Sequence, residues 1–152
     1  MGRWTDRLAE IGISLPEVAA PVAAYVPAVR TGAHVYTSGQ VPIVAGKLAA
    51  AGKVGAEISA DEAKRHARTC ALNALAAVDA LVGLDSVVRV VKVVGFVASA
   101  EGFTSQPGVI NGASELFGEI FGEAGRHARS AVGVAELPLG APVEVELIVE
   151  VE

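Results

Sequence analysis

Residues 59–83 carry apolar side chains at the spacing of an α-helix. Small and branched residues recur three, four and seven positions apart and so share one face: Ala71, Ala74, Leu75, Val78 and Val82. Ser59 is a suitable N-cap, and Glu62, three residues later, completes a capping-box pattern. Gly83 follows the last apolar position and predicts the end of the helix. We therefore expect one long helix packed on a core.

Two further segments predict helices. Residues 105–125 carry an apolar stripe and end at a glycine, Gly125; the stripe consists of Ala113, Leu116, Phe117, Ile120 and Phe121. Residues 3–12 form a shorter helical pattern, with Leu8 and Ile11 expected to face inward and Gly12 near its end.

Three segments predict strands in the second half of the chain. Nine of the fourteen residues 86–99 are apolar, most of them valine, which indicates a strand covered on both faces, or covered on one face and paired at an interface on the other. Residues 128–137 predict a second strand. In the last one, residues 142–152, apolar and mainly acidic positions alternate with a period of two: Val143, Val145, Leu147 and Val149 against Glu144, Glu146, Ile148 and Glu150.

A hairpin is predicted near the start of the chain. The turn signal at residues 30–32 separates Tyr25–Val29 from His34–Ser38, and prolines at 21 and 27 suggest a sheet edge. The Gly- and Ala-rich residues 44–56 read as a surface loop with room for one short pairing. The whole order of elements predicts an α+β fold, a single sheet with two helices packed on one face. Its other face would need a cover, so we expect a symmetric homo-oligomer.

Composition narrows the class of protein. Apolar residues make up 52% of the 152 residues and charged residues 19%, which excludes a disordered chain. The formal net charge is −5 and the 12 basic residues are scattered, so nucleic acid is an unlikely partner. No apolar run is long enough to span a membrane, and the charged first residues lack a signal-peptide core. We expect a soluble, cytoplasmic protein.

The single cysteine, Cys70, does not indicate a metal site or a catalytic nucleophile. It lies four residues after His66 on the long helix, so the two side chains share a face. The further ligands that a zinc site needs are not apparent, and we predict no metal. Apolar neighbours favour core packing of the thiol over nucleophilic catalysis.

Arg129 stands inside an otherwise apolar strand pattern. Alternation places it on one face with Ala131 and Gly133, which leaves space around the guanidinium. A guanidinium can bind a carboxylate bidentately, but a structural ion pair or a solvated arginine fits the pattern as well. Glu144 points away from the apolar set of its strand, so it is either solvent-facing or able to orient a water.

Two other residues have both structural and functional interpretations. Tyr25, flanked by alanine and valine, is a core or edge residue or part of a site. Asn111, near the start of the second long helix, has a cap or turn role or contributes to a site.

Taken together, these segments resemble the RidA/YjgF family of reactive enamine/imine deaminases, also labelled endoribonuclease L-PSP. The matching stretches are YVPAVRTGAHVYTSGQVP, VVRVVKVVGFVAS, VINGASELF and ARSAVGVAELP, followed by VEVELI. The match runs from about Pro21 to the C-terminus. It implies one domain over residues 21–152, preceded by an extension over residues 1–20 with the short helix.

The resemblance implies a chorismate-mutase-like fold and a homotrimer with a central barrel and sites between subunits. It also implies roles for single residues. Arg129 would bind the substrate carboxylate, and Glu144 would position the attacking water. The remaining substrate-binding positions are Tyr25, Ser38, Gly39 and Asn111.

Three departures separate this chain from the family pattern. Where the family commonly has Pro-Ala-Arg-Ser-Cys, this chain has His127-Ala128-Arg129-Ser130-Ala131. The thiol is therefore replaced by Ala131, and His127 adds a titratable group near the pocket. The N-terminal extension and the 44–56 loop are also longer, which indicates a divergent branch.

The function implied by the resemblance is hydrolysis of a 2-enamine or 2-imine acid to a 2-keto acid and ammonia, without a metal or organic cofactor. Two alternatives remain open. The first is a non-catalytic binder of small carboxylates with a regulatory role, which the missing thiol favours. The second is the family's endoribonuclease or translation-inhibitor label, which the acidic charge balance disfavours.

Overall fold

The computed structural model describes residues 2–21 and 23–152 of the chain. Its helices are α1 (Arg3–Glu10), α2 (Ala60–Val82) and α3 (Gln106–Phe121). Its strands are β1 (Ala28–Thr31), β2 (His34–Thr37), β3 (Ile43–Val44), β4 (Lys47–Leu48), β5 (Val87–Ala98), β6 (Ala128–Val134) and β7 (Val143–Val151). These elements confirm the predicted α+β fold.

Five strands form one sheet in the order β1-β2-β7-β5-β6. All neighbours are antiparallel except β5 and β6, which are parallel and joined through α3. The register places Arg129 of β6 beside Val93 of β5, and Val93 beside Leu147 of β7. Strands β3 and β4 form a separate small hairpin at the start of the predicted 44–56 loop, beginning one residue before it.

The two faces of this sheet differ in burial. The face toward the helices is the core and includes Val35, Val90, Val93, Val97, Val143, Val145, Leu147 and Val149. On the other face the glutamates of β7 are half-buried, whereas Tyr36 and Val132 are exposed. Strand β5 is therefore covered on one face only within one chain, and the predicted interface on its other face stays a prediction. The open face is more mixed than expected, because Arg89 of β5 lies opposite Glu150 of β7.

Helix α2 begins and ends where the sequence predicts. The Ser59 hydroxyl accepts a hydrogen bond from the Glu62 N–H at 3.1 Å, and the Glu62 carboxylate contacts His66 one turn further on. Gly83 ends the helix with φ of 82°, a left-handed conformation that glycine adopts without strain.

Two predicted boundaries are wrong. Strand β1 begins at Ala28 and not at Tyr25, because the preceding residues bend and Pro27 has no N–H to donate to a ladder. Helix α3 ends at Phe121 and not at Gly125, because Gly122 turns the chain with φ of 59°. A 3₁₀ turn over residues 122–125 then leads toward β6.

Helix α1 is held by a carboxylate from a distant part of the chain. Asp85 accepts hydrogen bonds from the N–H groups of Trp4 (2.8 Å) and Thr5 (3.0 Å) and from the Thr5 hydroxyl (2.8 Å). Burial acts to raise the pKa of Asp85, but these hydrogen bonds outweigh it and leave the pKa below its ordinary value. The Trp4 indole donates to the Val87 carbonyl at 2.7 Å, and its ring meets Phe121 edge-on.

Close backbone contacts set the position of α3. A Cβ at Gly112 would overlap the Lys64 carbonyl of α2, and one at Gly95 would overlap the Ile110 side chain. These two glycines allow α3 to lie close to both α2 and β5. The helix therefore passes beside β6 with its polar stripe facing that edge strand.

A search of the described residues finds no helix with the length and apolar character needed to cross a membrane.

Candidate functional site

Arg129 lies half-buried on the helix side of the edge strand β6, the same side as Val93 and Leu147. Its Nη1 donates to the Asn111 Oδ1 at 2.8 Å and to the Ser114 hydroxyl at 3.3 Å. Its Nη2 donates to the Pro107 carbonyl at 3.3 Å. The three acceptors all belong to α3, so the helix fixes the guanidinium against the strand.

All of these acceptors are neutral. Among the ion pairs of residues 2–21 and 23–152, none includes Arg129, so the structural ion pair that the sequence left open is absent from this part of the chain. A guanidinium has five N–H donors, and three of them are used. The Nε–H and one Nη2–H remain for a ligand, and a carboxylate is the anion that such a fork binds best.

Asn111 does not act as a helix cap. It lies in the second turn of α3, and its side-chain oxygen accepts from Arg129. Ser114 is the residue that the sequence reasoning missed. It follows Asn111 by three positions and Pro107 by seven, so helical spacing alone places the three on one stripe.

His127 contacts this group through Ser114. Its Nε2 lies 2.8 Å from the Ser114 oxygen and its Nδ1 lies 2.6 Å from the Gly125 carbonyl. The buried Phe117 ring meets the imidazole edge-on at a centroid distance of 5.9 Å. Ala131 is half-buried on the same side of β6 and packs against the core, so no functional group stands where the family commonly has a thiol.

A second set of candidate residues, Tyr25, Gly39 and Glu144, lines one cleft together with Pro27 and Gln40. Ala19 and Ala20 of the N-terminal extension also line this cleft, as does Pro21. Burial, and then the charge of Glu146, raise the pKa of Glu144. A side chain at Gly39 would overlap the Glu144 carboxylate, so the glycine leaves room for that group.

Ser38 supports the cleft through the backbone. Its hydroxyl donates to the Val26 carbonyl at 2.6 Å, and its N–H donates to the Pro27 carbonyl at 2.8 Å. Both bonds hold the segment that follows Tyr25 against the end of β2. In this arrangement the hydroxyl is used by the chain itself.

The predicted residues thus form two groups. We call Arg129, Asn111, Ser114 and His127 the arginine group, and Tyr25, Gly39 and Glu144 the glutamate group. Arg129 shares the helix side of the sheet with Leu147, whereas Glu144 alternates with the buried residues of β7 and lies on the open side. The two groups are also separated by strand β5. One chain therefore does not bring them together.

The described residues contain no cluster of three His, Cys, Asp or Glu side chains that could hold a metal ion. His66 contacts Glu62, and the Cys70 thiol is buried facing the Val143 carbonyl. Burial, and then the nearby Glu144 charge, raise the pKa of Cys70, which keeps the thiol protonated and unreactive.

Comparison with known proteins gives consistent matches over nearly the whole chain. Residues 5–151 match the profile of the family described as "YjgF/chorismate mutase-like, putative endoribonuclease". Protein TCP17 from Trypanosoma cruzi is 47% identical over 153 residues, which cover 98% of this chain and 94% of TCP17.

Two solved structures share the fold. One is a protein of unknown function from Agrobacterium tumefaciens, with 46% identity, a TM-score of 0.89, and coverage of 98% of this chain and 92% of that one. The other, titled "a putative endoribonuclease", comes from Shewanella oneidensis, with 34% identity, a TM-score of 0.93, and coverage of 99% and 100%. These matches agree with the motif resemblance, and the chain belongs to the YjgF/chorismate-mutase-like family.

Proposed function

We propose that this protein hydrolyses reactive 2-imine acids, which are in equilibrium with 2-enamine acids, to 2-keto acids and ammonia. The observation that carries the proposal is Arg129, a half-buried arginine held only by neutral acceptors, with two N–H donors left for a ligand. A charge kept partly out of water without a counter-ion favours an anionic ligand.

The reaction requires few functional groups from the protein. Proton transfer to C3 of a 2-enamine acid gives the 2-imine acid, whose C2 is already electrophilic. Water adds to that carbon, and the resulting carbinolamine loses ammonia to leave the keto group. Arg129 would hold the carboxylate, and this positioning is itself a large part of catalysis. Because the substrate supplies its own electrophile, the proposed reaction requires no metal or organic cofactor.

Glu144 would orient the attacking water and accept its proton. A raised pKa suits this role, since a base is most effective when its pKa lies near the working pH. Tyr25 and Gly39 line the cleft at the Glu144 carboxylate. Together with the Ser38–Gly39 backbone they would fix the pose of the substrate.

The site is proposed to form between copies of the chain in a homotrimer. In one chain the arginine group and the glutamate group lie on opposite sides of the sheet, so a second copy is needed to complete the set. The open face offers apolar area for such contact, including the exposed Val132 and Tyr36. We place the assembly in the cytoplasm as part of the same proposal.

A coupled assay tests the activity. A 2-imine acid is generated in situ from an amino acid by a dehydratase or an oxidase, and its decay is followed with and without this protein. We expect faster decay with wild type, and buffer-like decay with Arg129→Ala. Arg65→Ala, which changes an exposed arginine of α2, should behave as wild type. Wild type that does not exceed buffer, or Arg129→Ala that matches wild type, would reject the proposal for that substrate.

A non-catalytic carboxylate binder is the second candidate, and the absence of a functional side chain at Ala131 favours it. Calorimetry separates the two functions, because binding of a keto acid without turnover of the imine supports the binder. RNA cleavage, suggested by the endoribonuclease description of the family, is disfavoured by the net charge of −5. It would be supported only by cleavage that persists on repurification and is lost in Arg129→Ala.

A further inference from the structure

The contacts of Arg129 determine which edge of its guanidinium faces outward. Nη1 donates to Asn111 and to Ser114, and Nη2 donates to the Pro107 carbonyl. Nε donates to no described residue, and Nη2 carries a second hydrogen. The Nε/Nη2 edge of a planar guanidinium matches the two oxygens of a carboxylate, and it is the edge on which Nε is still unused.

The tautomer of His127 follows from its own contacts. The Gly125 carbonyl can only accept, so the Nδ1 that lies 2.6 Å from it carries the hydrogen. In the neutral ring the Nε2 is then an acceptor, and it takes the hydroxyl hydrogen of Ser114 at 2.8 Å. The lone pairs of the Ser114 oxygen are left facing the Arg129 Nη1.

We infer that Ser114 and His127 are positioning residues for the Arg129 anchor. The relay runs from the Gly125 carbonyl through His127 and Ser114 to Nη1, and it keeps the Nε/Nη2 edge turned toward the incoming carboxylate. The inference rests on the proposed function of Arg129. It explains what His127 contributes at the position where the family commonly has a proline, which has no side-chain hydrogen-bonding group.

Packing supports the relay as a built arrangement. The His127 ring is half-buried and lies edge-on against Phe117, a fully buried residue of α3. Ser114 and Phe117 both belong to α3, so one helix fixes the hydroxyl and the ring plane. The described residues that surround the imidazole contribute no carboxylate to this contact set.

Calorimetry on the full chain tests the inference, with 2-oxobutanoate as probe and its amide as the uncharged counterpart. We expect Ser114→Ala to weaken binding of the acid by about tenfold, which corresponds to about 1.4 kcal/mol, with little change for the amide. Ser114→Thr keeps the hydroxyl and should bind nearly as wild type. Thr69→Ala is the matched control, because that hydroxyl contacts only the Arg65 carbonyl of its own helix.

A double-mutant cycle separates a relay from independent effects. His127→Phe keeps the ring against Phe117 and removes both nitrogens, and it should weaken acid binding in the same direction as Ser114→Ala. The double variant should lose no more than the weaker-binding single variant, since both break one chain of bonds. The Arg129 Nε–H signal in ¹⁵N NMR should also broaden in each variant while far-UV circular dichroism stays unchanged.

The outcomes distinguish this inference from the proposed function. If Ser114→Ala and His127→Phe bind the acid as wild type does while Arg129→Ala does not bind, the relay is rejected and the anchor stands. Strictly additive losses would also reject the relay. If Arg129→Ala binds as wild type, the proposed function itself fails. Should Ser114→Ala not fold, the Ser114→Thr and His127→Phe comparison decides the question.

Discussion

At the scale of single residues, Arg129 and Glu144 are half-buried, and neither has an opposite charge beside it among the described residues. Arg129 has only neutral acceptors, and Glu144 takes part in none of the ion pairs recorded for the described residues. Keeping a charge partly away from water without a partner costs free energy, so folding alone does not explain either group. A ligand of opposite charge at Arg129 and a reacting water at Glu144 would explain why these groups are present.

Gly39 is expected to control the Glu144 carboxylate. In Gly39→Ala the added methyl would overlap that carboxylate and displace it, because its flexible side chain yields more easily than the backbone. We expect the rate of imine hydrolysis to fall by about tenfold or more, with thermal unfolding little changed. Steady-state kinetics and calorimetric melting measure the two effects. In a Glu144→Gln background the same change should add nothing, and an additive loss would contradict this explanation.

Glu146 is expected to tune the same group. Burial is the larger cause of the raised pKa of Glu144, and the Glu146 charge adds to it. Glu146→Gln should therefore lower the pKa of Glu144 toward its ordinary value and move the acidic limb of the rate profile to lower pH. Carboxyl ¹³C titration by NMR measures the shift directly. Glu150→Gln, further along the same strand face, is the control, and an equal shift there would point to net charge instead.

The sign for stability follows from the same shift. A raised pKa means that folded Glu144 holds its proton more tightly than the unfolded chain does. Its contribution to stability is therefore lost as pH rises from the ordinary glutamate pKa through the raised pKa. The rate of imine hydrolysis should therefore rise with pH across the same window in which ionisation of Glu144 lowers the free energy of unfolding.

At the scale of elements, the strongly periodic segments and both ends of α2 could be predicted, whereas the start of β1 and the end of α3 could not. Helix α2 and strand β7 follow from spacing, because a buried face imposes a period on the sequence. The end of α3 at Phe121 depends on the backbone conformation of Gly122, while Gly125 looked equally suitable. The hydrogen bonds from Trp4 and Thr5 of α1 to Asp85 join residues about 80 positions apart, so the local sequence pattern cannot predict them.

The same limit applies to the site. The family motifs assign Arg129, Asn111, Tyr25 and Glu144 to one site, and strand alternation predicts the faces of Arg129 and Glu144 within their own strands. Which strands are neighbours, and that Arg129 and Glu144 lie on opposite faces, follows only from the sheet order. Ser114 was accessible from spacing, since it shares the Pro107–Asn111 stripe.

The crossing of α2 and α3 depends on Gly112. In Gly112→Ala the methyl would overlap the Lys64 carbonyl, and a helix backbone cannot move aside as a side chain can. We expect a loss of about 1–3 kcal/mol in the free energy of unfolding, measured by urea denaturation. Gly118→Ala is the control on the same helix, where a Cβ meets open space, and it should be neutral or slightly stabilising. Equal effects of the two changes would contradict a steric cause.

At the scale of the whole molecule, the proposed function would make each chain half of two sites, because its two groups lie on opposite sides of one sheet. Symmetry lets a ring of identical copies join the arginine group of each to the glutamate group of the next. This arrangement would use the open face, whose half-buried glutamates and exposed Val132 have no cover within one chain.

Mixing two inactive variants tests that arrangement. Arg129→Ala and Glu144→Gln should each be inactive alone, because each breaks every site. Co-expressed in equal amounts, they should regain about a quarter of the wild-type activity, since that fraction of interfaces joins an intact arginine to an intact glutamate. Activity of tagged, co-purified assemblies measures the recovery. No recovery in assemblies shown to be mixed would place both residues in the same copy's site.

The bond between Asp85 and α1 also has a consequence for synthesis of the chain. The first helix leaves the ribosome before its capping carboxylate has been translated, and the Trp4 indole likewise waits for the Val87 carbonyl. An isolated helix of eight residues is too short to persist in water. Helix α1 is therefore synthesised well before the residues that hold it in place. A nascent chain stalled before residue 85 would still expose Trp4 to chaperones and proteases.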